Sequence, residues 1–183
     1  MPGMNQIDPS TATGTVRTLL DGIAKKRGHL PPLMRILAHS PAVLSGYIGF
    51  MSALTGGALT ITMQERIALA VSQANDCQGC LAAHLGFAKV AGLTEEEIAA
   101  ARSFSSADPE AVEVLSFARV MLETRGHLSD AHRAAVRKSG LGERALVEIA
   151  ALVAINILTN SVSSLAQIGA RTCQADVILN DPK

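Results

Sequence analysis

The sequence predicts an all-α protein, and three observations carry the prediction. Hydrophobic residues make up 48% of the 183 residues, whereas aromatic residues make up only 3%. Such a core suits closely packed helices, because alanine is the best helix former and adds little bulk between helix axes. No stretch alternates apolar and polar residues as a strand does, and helix caps recur along the chain. We expect one compact domain of about seven to eight helices over residues 13–183, after a flexible lead at residues 1–12.

The helix boundaries follow from caps, prolines and glycines. Gly28 ends the first helix, and Ser40-Pro41 begins another with a cap and a proline at its first position. Thr62 with Glu65 matches the capping-box pattern, as does Thr94 with Glu97. Asn75-Asp76 is expected to break the chain and cap the helix that follows. The predicted helical segments are residues 13–27, 32–39, 41–54, 62–74, 77–92, 94–102, 108–124, 129–138 and 143–168.

Charge and composition exclude several classes of function. The chain has 16 basic and 16 acidic residues, so it lacks the basic stripe that a nucleic-acid surface needs. Its N-terminus has neither a basic start nor an apolar stretch, and we expect no signal peptide. The longest apolar run, Ile149 to Leu158, is about half of what spans a bilayer, so no membrane segment is expected. Three cysteines, two of them close together, indicate a reactive or metal-binding pair in a reducing compartment, and therefore a cytoplasmic location.

The residues that carry chemistry lie in the segment Asp76-Cys77-Gln78-Gly79-Cys80-Leu81-Ala82-Ala83-His84. Residues three and four apart on a helix are neighbours, so Cys77, Cys80 and His84 share one face. Helical side chains lean toward the N-terminus, which brings His84 back over Cys80. Cys77 lies about 10 Å from His84 along the axis, too far for direct proton transfer. We therefore predict that His84 activates Cys80 and that Cys77 is the partner thiol.

An activated thiol needs help from its surroundings. A free thiol is only about 3% ionised at pH 7, and a helix N-terminus typically contributes about 0.3–1 kcal/mol toward its thiolate. A base that takes the proton, His84, and a carboxylate that holds the imidazole, Glu65, would supply the rest. Glu65 lies 12 residues before Cys77, on the preceding predicted helix. Its position in a capping box is an equally good explanation of that glutamate.

Other interpretations stay open at this point. Zinc on Cys77, Cys80, His84 and Glu65 is possible in ligand number, although a second cysteine pair is missing and we expect no bound metal or cofactor. The same cysteines could serve a thiol–disulfide oxidoreductase or a non-catalytic redox sensor. Cys173, alone near the C-terminus, is expected to be a packed thiol. The remaining histidines are expected to lie at the surface or at helix caps, namely His29, His39, His127 and His132.

The spacing of the motif resembles a known family. Glu65, then Cys77-x-x-Cys80-x-x-x-His84, then Val90-Ala91-Gly92-Leu93, is similar to the AhpD-like alkylhydroperoxidase branch of the carboxymuconolactone decarboxylase-like superfamily. The stretch Ala38 to Leu44 and the long C-terminal helix also resemble its peroxidase-related members. The resemblance covers most of the chain after about residue 30. It implies an all-α AhpD-like fold with the CxxC motif at the N-terminus of a central helix.

The resemblance also implies an activity and partners. It implies reduction of small organic hydroperoxides, in which Cys80 attacks the peroxide, Cys77 resolves the product, and Glu65 and His84 relay protons. It implies an external dithiol reductant, of lipoyl type or thioredoxin-like, carried by a partner protein. It further implies a homo-oligomer, commonly a trimer or hexamer. Gly79 departs from the pattern, since relatives often have an aromatic residue or a histidine there, and any relay role at that position is absent.

Overall fold

The chain is helical throughout the part that the computed structural model describes, residues 4–169. Those residues contain no strand, which confirms the all-α prediction. They form nine helices, one more than the upper end of the expected range, and each lies within or overlaps a predicted helical segment. The helices are α1 (Gly14–Arg27), α2 (Pro32–Leu37), α3 (Pro41–Leu54), α4 (Ile61–Ala74), α5 (Gln78–Val90), α6 (Glu95–Ala101), α7 (Pro109–Thr124), α8 (Asp130–Ser139) and α9 (Glu143–Leu165).

The described residues divide into two compact units. The first comprises residues 4–53 and 161–169, and the second comprises residues 54–160. Helix α9 contributes its residues up to Asn160 to the second unit and the remainder to the first. One domain over residues 13–183 stays a prediction.

The first unit has its own apolar core, centred on Leu20, Leu37 and Leu44. Ile7 and Ala12, from the segment predicted as a flexible lead, pack against this core. The guanidinium of Arg35 donates a hydrogen bond to the carbonyl of Ile7 at 2.8 Å, and the amide of Ile7 donates to the carbonyl of Arg35 at 3.2 Å. The lead therefore supplies both apolar side chains and main-chain bonds to the first unit.

The second unit is organised around α4, which packs against α5, α6 and α7. Helix α4 is buried along most of its length, and Ile67, Leu69 and Val71 have no exposed surface. Apolar residues of α5 and α6, among them Leu81 and Ile98, pack with Leu69 in one cluster. Because other helices pack around α4, the polar side chains of this helix are held in place by closely packed neighbours.

Helix α9 contains the apolar run from which no membrane segment was expected. The whole helix is long and apolar enough to cross a membrane, judged by length and composition alone, and it is the one such helix among residues 4–169. Core helices of water-soluble proteins pass the same test. Ile149 and Leu152 are buried in the second unit, and Asn160 hydrogen-bonds to Ser72 of α4. At these positions α9 packs within the second unit.

An ion pair links α4 to α6. The guanidinium of Arg66, whose side chain is only 6% exposed, donates to the Glu97 carboxylate at 2.7 Å and to the Ser106 hydroxyl at 3.3 Å. Glu97 also completes the predicted capping box with Thr94. The hydrogen bond from the Thr94 amide, followed by the Arg66 guanidinium, holds the pKa of Glu97 below its ordinary value of 4.5.

Replacing Glu97 with glutamine is expected to destabilise the fold at neutral pH. Glutamine preserves the capping box but leaves the Arg66 guanidinium buried without its counter-charge. The pKa of Glu97 is lowered on folding, so its contribution is present above pH 4.5 and is lost as the pH falls through the lowered value. Urea unfolding at pH 7 and at an acid pH below 4.5 should therefore show a gap in unfolding free energy between wild type and variant that narrows in acid.

Glu95→Gln is the matched control for this prediction. Glu95 pairs with Lys89 at 2.7 Å, but the two side chains are 72% and 56% exposed. An exposed pair contributes little to stability, so this variant should unfold close to wild type at both pH values. Equal losses in Glu95→Gln and Glu97→Gln would mean that the buried guanidinium is not the cause.

Candidate active site

The two cysteines of the motif lie where the chain turns from α4 into α5. Cys77 is the N-cap of α5, and its amide donates to the carbonyl of Ser72 at 3.0 Å. Cys80 lies in the first turn of the helix. Their sulfur atoms are joined in a disulfide, with 5.3 Å between the Cα atoms. The prediction that Asn75 or Asp76 caps a helix containing both cysteines was wrong, because Asn75 ends α4 and Asp76 has a left-handed backbone (φ 50°).

The other two predicted site residues contact each other. The Nδ1 atom of His84, on α5, lies 2.8 Å from the Oε2 atom of Glu65 on α4. The side chains are 21% and 17% exposed, so the pair is largely shielded from solvent. A short turn joins α4 to α5 and the helices pack side by side, which brings residues 19 positions apart into contact.

The capping-box explanation of Glu65 was wrong. Helix α4 begins at Ile61, and its N-cap is Thr60, whose hydroxyl accepts from the amide of Met63. Thr62 lies inside the helix, and its hydroxyl bonds to that of Thr60 at 2.8 Å. Glu65 is therefore beyond the first turn, where its carboxylate is not needed for capping.

The tautomer of His84 follows from its partner. An ionised carboxylate can only accept hydrogen bonds, so the Nδ1 atom of His84 carries the proton that points at Glu65. In the neutral imidazole the Nε2 atom is then the basic nitrogen. The ring of Phe87 meets the His84 ring edge-on, with 5.8 Å between centroids, and limits its rotation from a second direction. The imidazole is thus oriented, with one nitrogen left to exchange protons.

The two cysteines are equally exposed to solvent, but they differ in their position relative to His84. Cys77 and Cys80 are 7% and 8% exposed. Cys80 precedes His84 by one turn of the same helix, where side chains are neighbours, while Cys77 lies outside the helix. Cys80 is therefore the cysteine that lies one helical turn from His84, and its sulfur atom is joined to that of Cys77.

Sequence reasoning missed a buried polar chain beside the cysteine turn. The side-chain amide of Asn75 donates to Asn160 at 2.9 Å, and the amide of Asn160 donates to the Ser72 hydroxyl at 3.3 Å. Asn160 is 3% exposed and Ser72 is fully buried. The available signal was the spacing of Asn156 and Asn160, four residues apart in an otherwise apolar helix.

The remaining candidates lie elsewhere or outside the described residues. Within residues 4–169, no group of three or more histidine, cysteine, aspartate or glutamate side chains is arranged to hold a metal ion. The His39 ring bonds to the carbonyl of Asn5 at 2.8 Å, and the His132 ring accepts from the amide of Ser129 in the capping box of α8. Cys173, expected to be a packed thiol, lies outside the described residues.

Comparison with known protein families gives a match over part of the chain. Residues 41–121, which contain all four predicted site residues, match the carboxymuconolactone decarboxylase family. This match extends from the start of α3 into α7. No curated protein matches the sequence.

Solved structures show that the fold is of the AhpD-like type. A peroxidase-related protein with an AhpD core from Ralstonia eutropha JMP134 is 22% identical with a TM-score of 0.78, each chain covering 90% of the other. A peroxidase-related protein from Silicibacter sp. TM1040 is also 22% identical, with a TM-score of 0.69 and coverage of 91% of this chain and 92% of that one.

A second kind of enzyme shares the fold. The C82A variant of the debrominase Bmp8, in complex with 2,3,4-tribromopyrrole, is 20% identical with a TM-score of 0.72, and the match covers 96% of this chain and 99% of that one. The fold is thus common to peroxidase-related proteins and a debrominase, and the chemistry must be inferred from the site.

Proposed function

We propose that this chain is a thiol-dependent peroxidase that reduces small organic hydroperoxides. The observation that supports it most is the 2.8 Å hydrogen bond between Glu65 of α4 and His84 of α5. Helix α5 also carries Cys80. An oriented base one helical turn from a thiol is what a nucleophilic cysteine requires. The family match over residues 41–121 and the fold shared with peroxidase-related proteins are consistent with this proposal.

The cycle uses two thiols and consumes one peroxide. His84 removes the proton of Cys80, and the thiolate attacks the terminal oxygen of the hydroperoxide. The O–O bond breaks, Cys80 becomes a sulfenic acid, and the alkoxide takes the proton from His84 and leaves as an alcohol. The thiol of Cys77 then attacks the Cys80 sulfur, forming the disulfide and releasing water.

An external dithiol restores both cysteines. Its first thiolate attacks the Cys77–Cys80 disulfide, and its second resolves the mixed disulfide, so that two electrons pass from reductant to enzyme. A lipoyl-type or thioredoxin-like group on a partner protein fits this requirement. A cytoplasmic homo-oligomer, trimer or hexamer, completes the proposal, with no bound cofactor or metal.

Reductive debromination is the second candidate, because the debrominase Bmp8 shares the fold. Replacing a carbon–bromine bond by a carbon–hydrogen bond takes two electrons, which two thiols supply on forming a disulfide. The oriented His84 and the Cys77–Cys80 pair suit that chemistry as well. The substrate therefore decides between the two candidates.

A turnover assay separates the candidates. Reduced protein is mixed with cumene hydroperoxide or 2,3,4-tribromopyrrole, each with dihydrolipoamide or reduced thioredoxin, and substrate loss is followed. Repeated turnover of the hydroperoxide supports the proposal. Turnover of the bromopyrrole alone would replace it with the second candidate. Reduction of a model disulfide without peroxide turnover would indicate an oxidoreductase, and a single oxidation without turnover would indicate a redox sensor.

A further inference from the structure

Disulfide closure depends on the turn that carries Cys77. Cys80 is fixed within α5, whereas Cys77 precedes the first helical residue. The position of the Cys77 sulfur is therefore set by residues 75–77, which connect α4 to α5. Asp76 in this turn has a left-handed backbone, which a residue other than glycine adopts uncommonly. Such a turn needs contacts outside itself to hold it.

The main-chain amides of Asn75 and Asp76 bond back to carbonyls of α4, and two further bonds hold the turn near its start and its end. At its start, the Asn75 side-chain amide donates to the Oδ1 atom of Asn160 at 2.9 Å. At its end, the Cys77 main-chain amide donates to the carbonyl of Ser72 at 3.0 Å. Asn160 also donates from its Nδ2 atom to the hydroxyl of Ser72 at 3.3 Å, and the carbonyl of that same residue accepts from Cys77. One side-chain amide of α9 thus bonds to the first residue of the turn and to the α4 residue that holds the last.

Burial shields the bond between Asn160 and Ser72. Asn160 is 3% exposed and Ser72 has no exposed surface, so water does not compete readily for that bond. A buried amide keeps its partners, since an unsatisfied donor or acceptor is costly. Asn160 accepts from Asn75 in the turn and donates to Ser72 in α4, a pair of roles that an amide side chain can fill at once.

We propose that Asn160 is a positioning residue for Cys77 and sets the rate of disulfide closure without affecting the attack of Cys80 on peroxide. This inference rests on the proposed function, in which closure is the second half of the cycle. Asn160 acts through Asn75 and Ser72 and does not touch the substrate. When the hydrogen bonds of Asn160 are lost, the turn becomes more mobile and the Cys77 sulfur spends less time near Cys80. The Cys80 sulfenic acid then persists longer before Cys77 attacks it.

The test compares Asn160→Ala and Asn75→Ala with wild type. After a pulse of cumene hydroperoxide, loss of the Cys80 thiol should proceed within about twofold of wild type, while disulfide closure should slow by about tenfold or more, since small misplacements of reacting groups are costly. With excess peroxide, the waiting sulfenic acid should be oxidised to sulfinic acid, seen by intact mass as a gain of two oxygen atoms. A purely structural role would not alter the ratio of the two rates.

Asn156→Ala is the matched control. Asn156 is 5% exposed, lies one turn before Asn160 on α9, and donates to the carbonyl of Leu152 within its own helix. This variant should close at the wild-type rate. The Asn75→Ala, Asn160→Ala double variant should close no more than about twofold more slowly than Asn160→Ala, because both changes break one connection. If Asn160→Ala does not fold, Asn75→Ala decides the matter, since Asn75 lies at the surface.

A second oxidant separates this inference from the proposed function. Oxidised glutathione forms a mixed disulfide on Cys80 and releases one glutathione, and attack by Cys77 on that sulfur closes the pair and releases the other. If wild type ignores peroxide but closes with glutathione, the peroxidase proposal fails while closure is still measured. Closure at the wild-type rate in both variants and with both oxidants would overturn the inference, as would equal slowing in Asn156→Ala.

Discussion

Cys80→Ser is expected to lower the rate of hydroperoxide consumption by about a thousandfold or more. A serine hydroxyl remains protonated at neutral pH and is a poor nucleophile toward an O–O bond, whereas a thiolate is a strong one. Loss of a nucleophile removes the whole covalent pathway, which is why such variants show the largest effects. Stopped-flow measurement of peroxide loss with reduced enzyme, in a single turnover, measures this directly.

Cys77→Ser is the control that assigns the two roles. Without a resolving thiol, the first turnover should proceed at about the wild-type rate, and a sulfenic acid should remain on Cys80, detectable by intact mass and by a dimedone-type reagent. Steady-state turnover should be lost. If Cys77→Ser loses the first turnover and Cys80→Ser keeps it, the order of attack is reversed. Both side chains are equally buried, so a difference between these variants reflects chemistry and not accessibility.

The helices could be predicted from the sequence because the residues that begin and end a helix lie at its own ends. Proline and glycine positions and the capping residues Thr94, Asp108 and Ser129 fixed most helix starts, as the structure confirms. The start of α4 was misplaced because Thr60 and Thr62 both offer a capping hydroxyl, and only the backbone decides between them. That error produced the capping-box explanation of Glu65.

The hydrogen bonds around the motif were harder to predict from the sequence because they join distant parts of the chain. Residues Glu65 and His84 lie 19 positions apart, and their contact requires α4 and α5 to pack side by side. Ser72 and Asn160 lie 88 positions apart, on α4 and α9, and the apolar patterns of these helices do not predict a hydrogen bond between them. Periodicity predicts which face of a helix is buried, but not which polar groups meet there.

His84→Ala is expected to lower the second-order rate of Cys80 oxidation by about 10²–10⁴ at neutral pH, the usual contribution of a positioned base. Glu65→Gln should have a smaller effect, about 10–100-fold, because glutamine can still accept from the Nδ1 proton but no longer stabilises a positive imidazole. Raising the pH ionises the thiol without help from the base, so the deficit of His84→Ala should shrink toward alkaline pH. Single-turnover rates measured across pH test both statements.

Glu148→Gln is the matched control for Glu65→Gln. Its carboxylate is 12% exposed and accepts from the amides of Ala58 and Leu59, away from the cysteines. If burial of a glutamate were all that mattered, both variants would lose stability and neither would change the pH profile. A Glu65→Gln enzyme with wild-type rates at every pH would show that the hydrogen bond to His84 only supports the fold. A loss confined to Glu65→Gln instead makes the carboxylate part of the proton path, since the two variants remove equivalent charges from equally shielded positions.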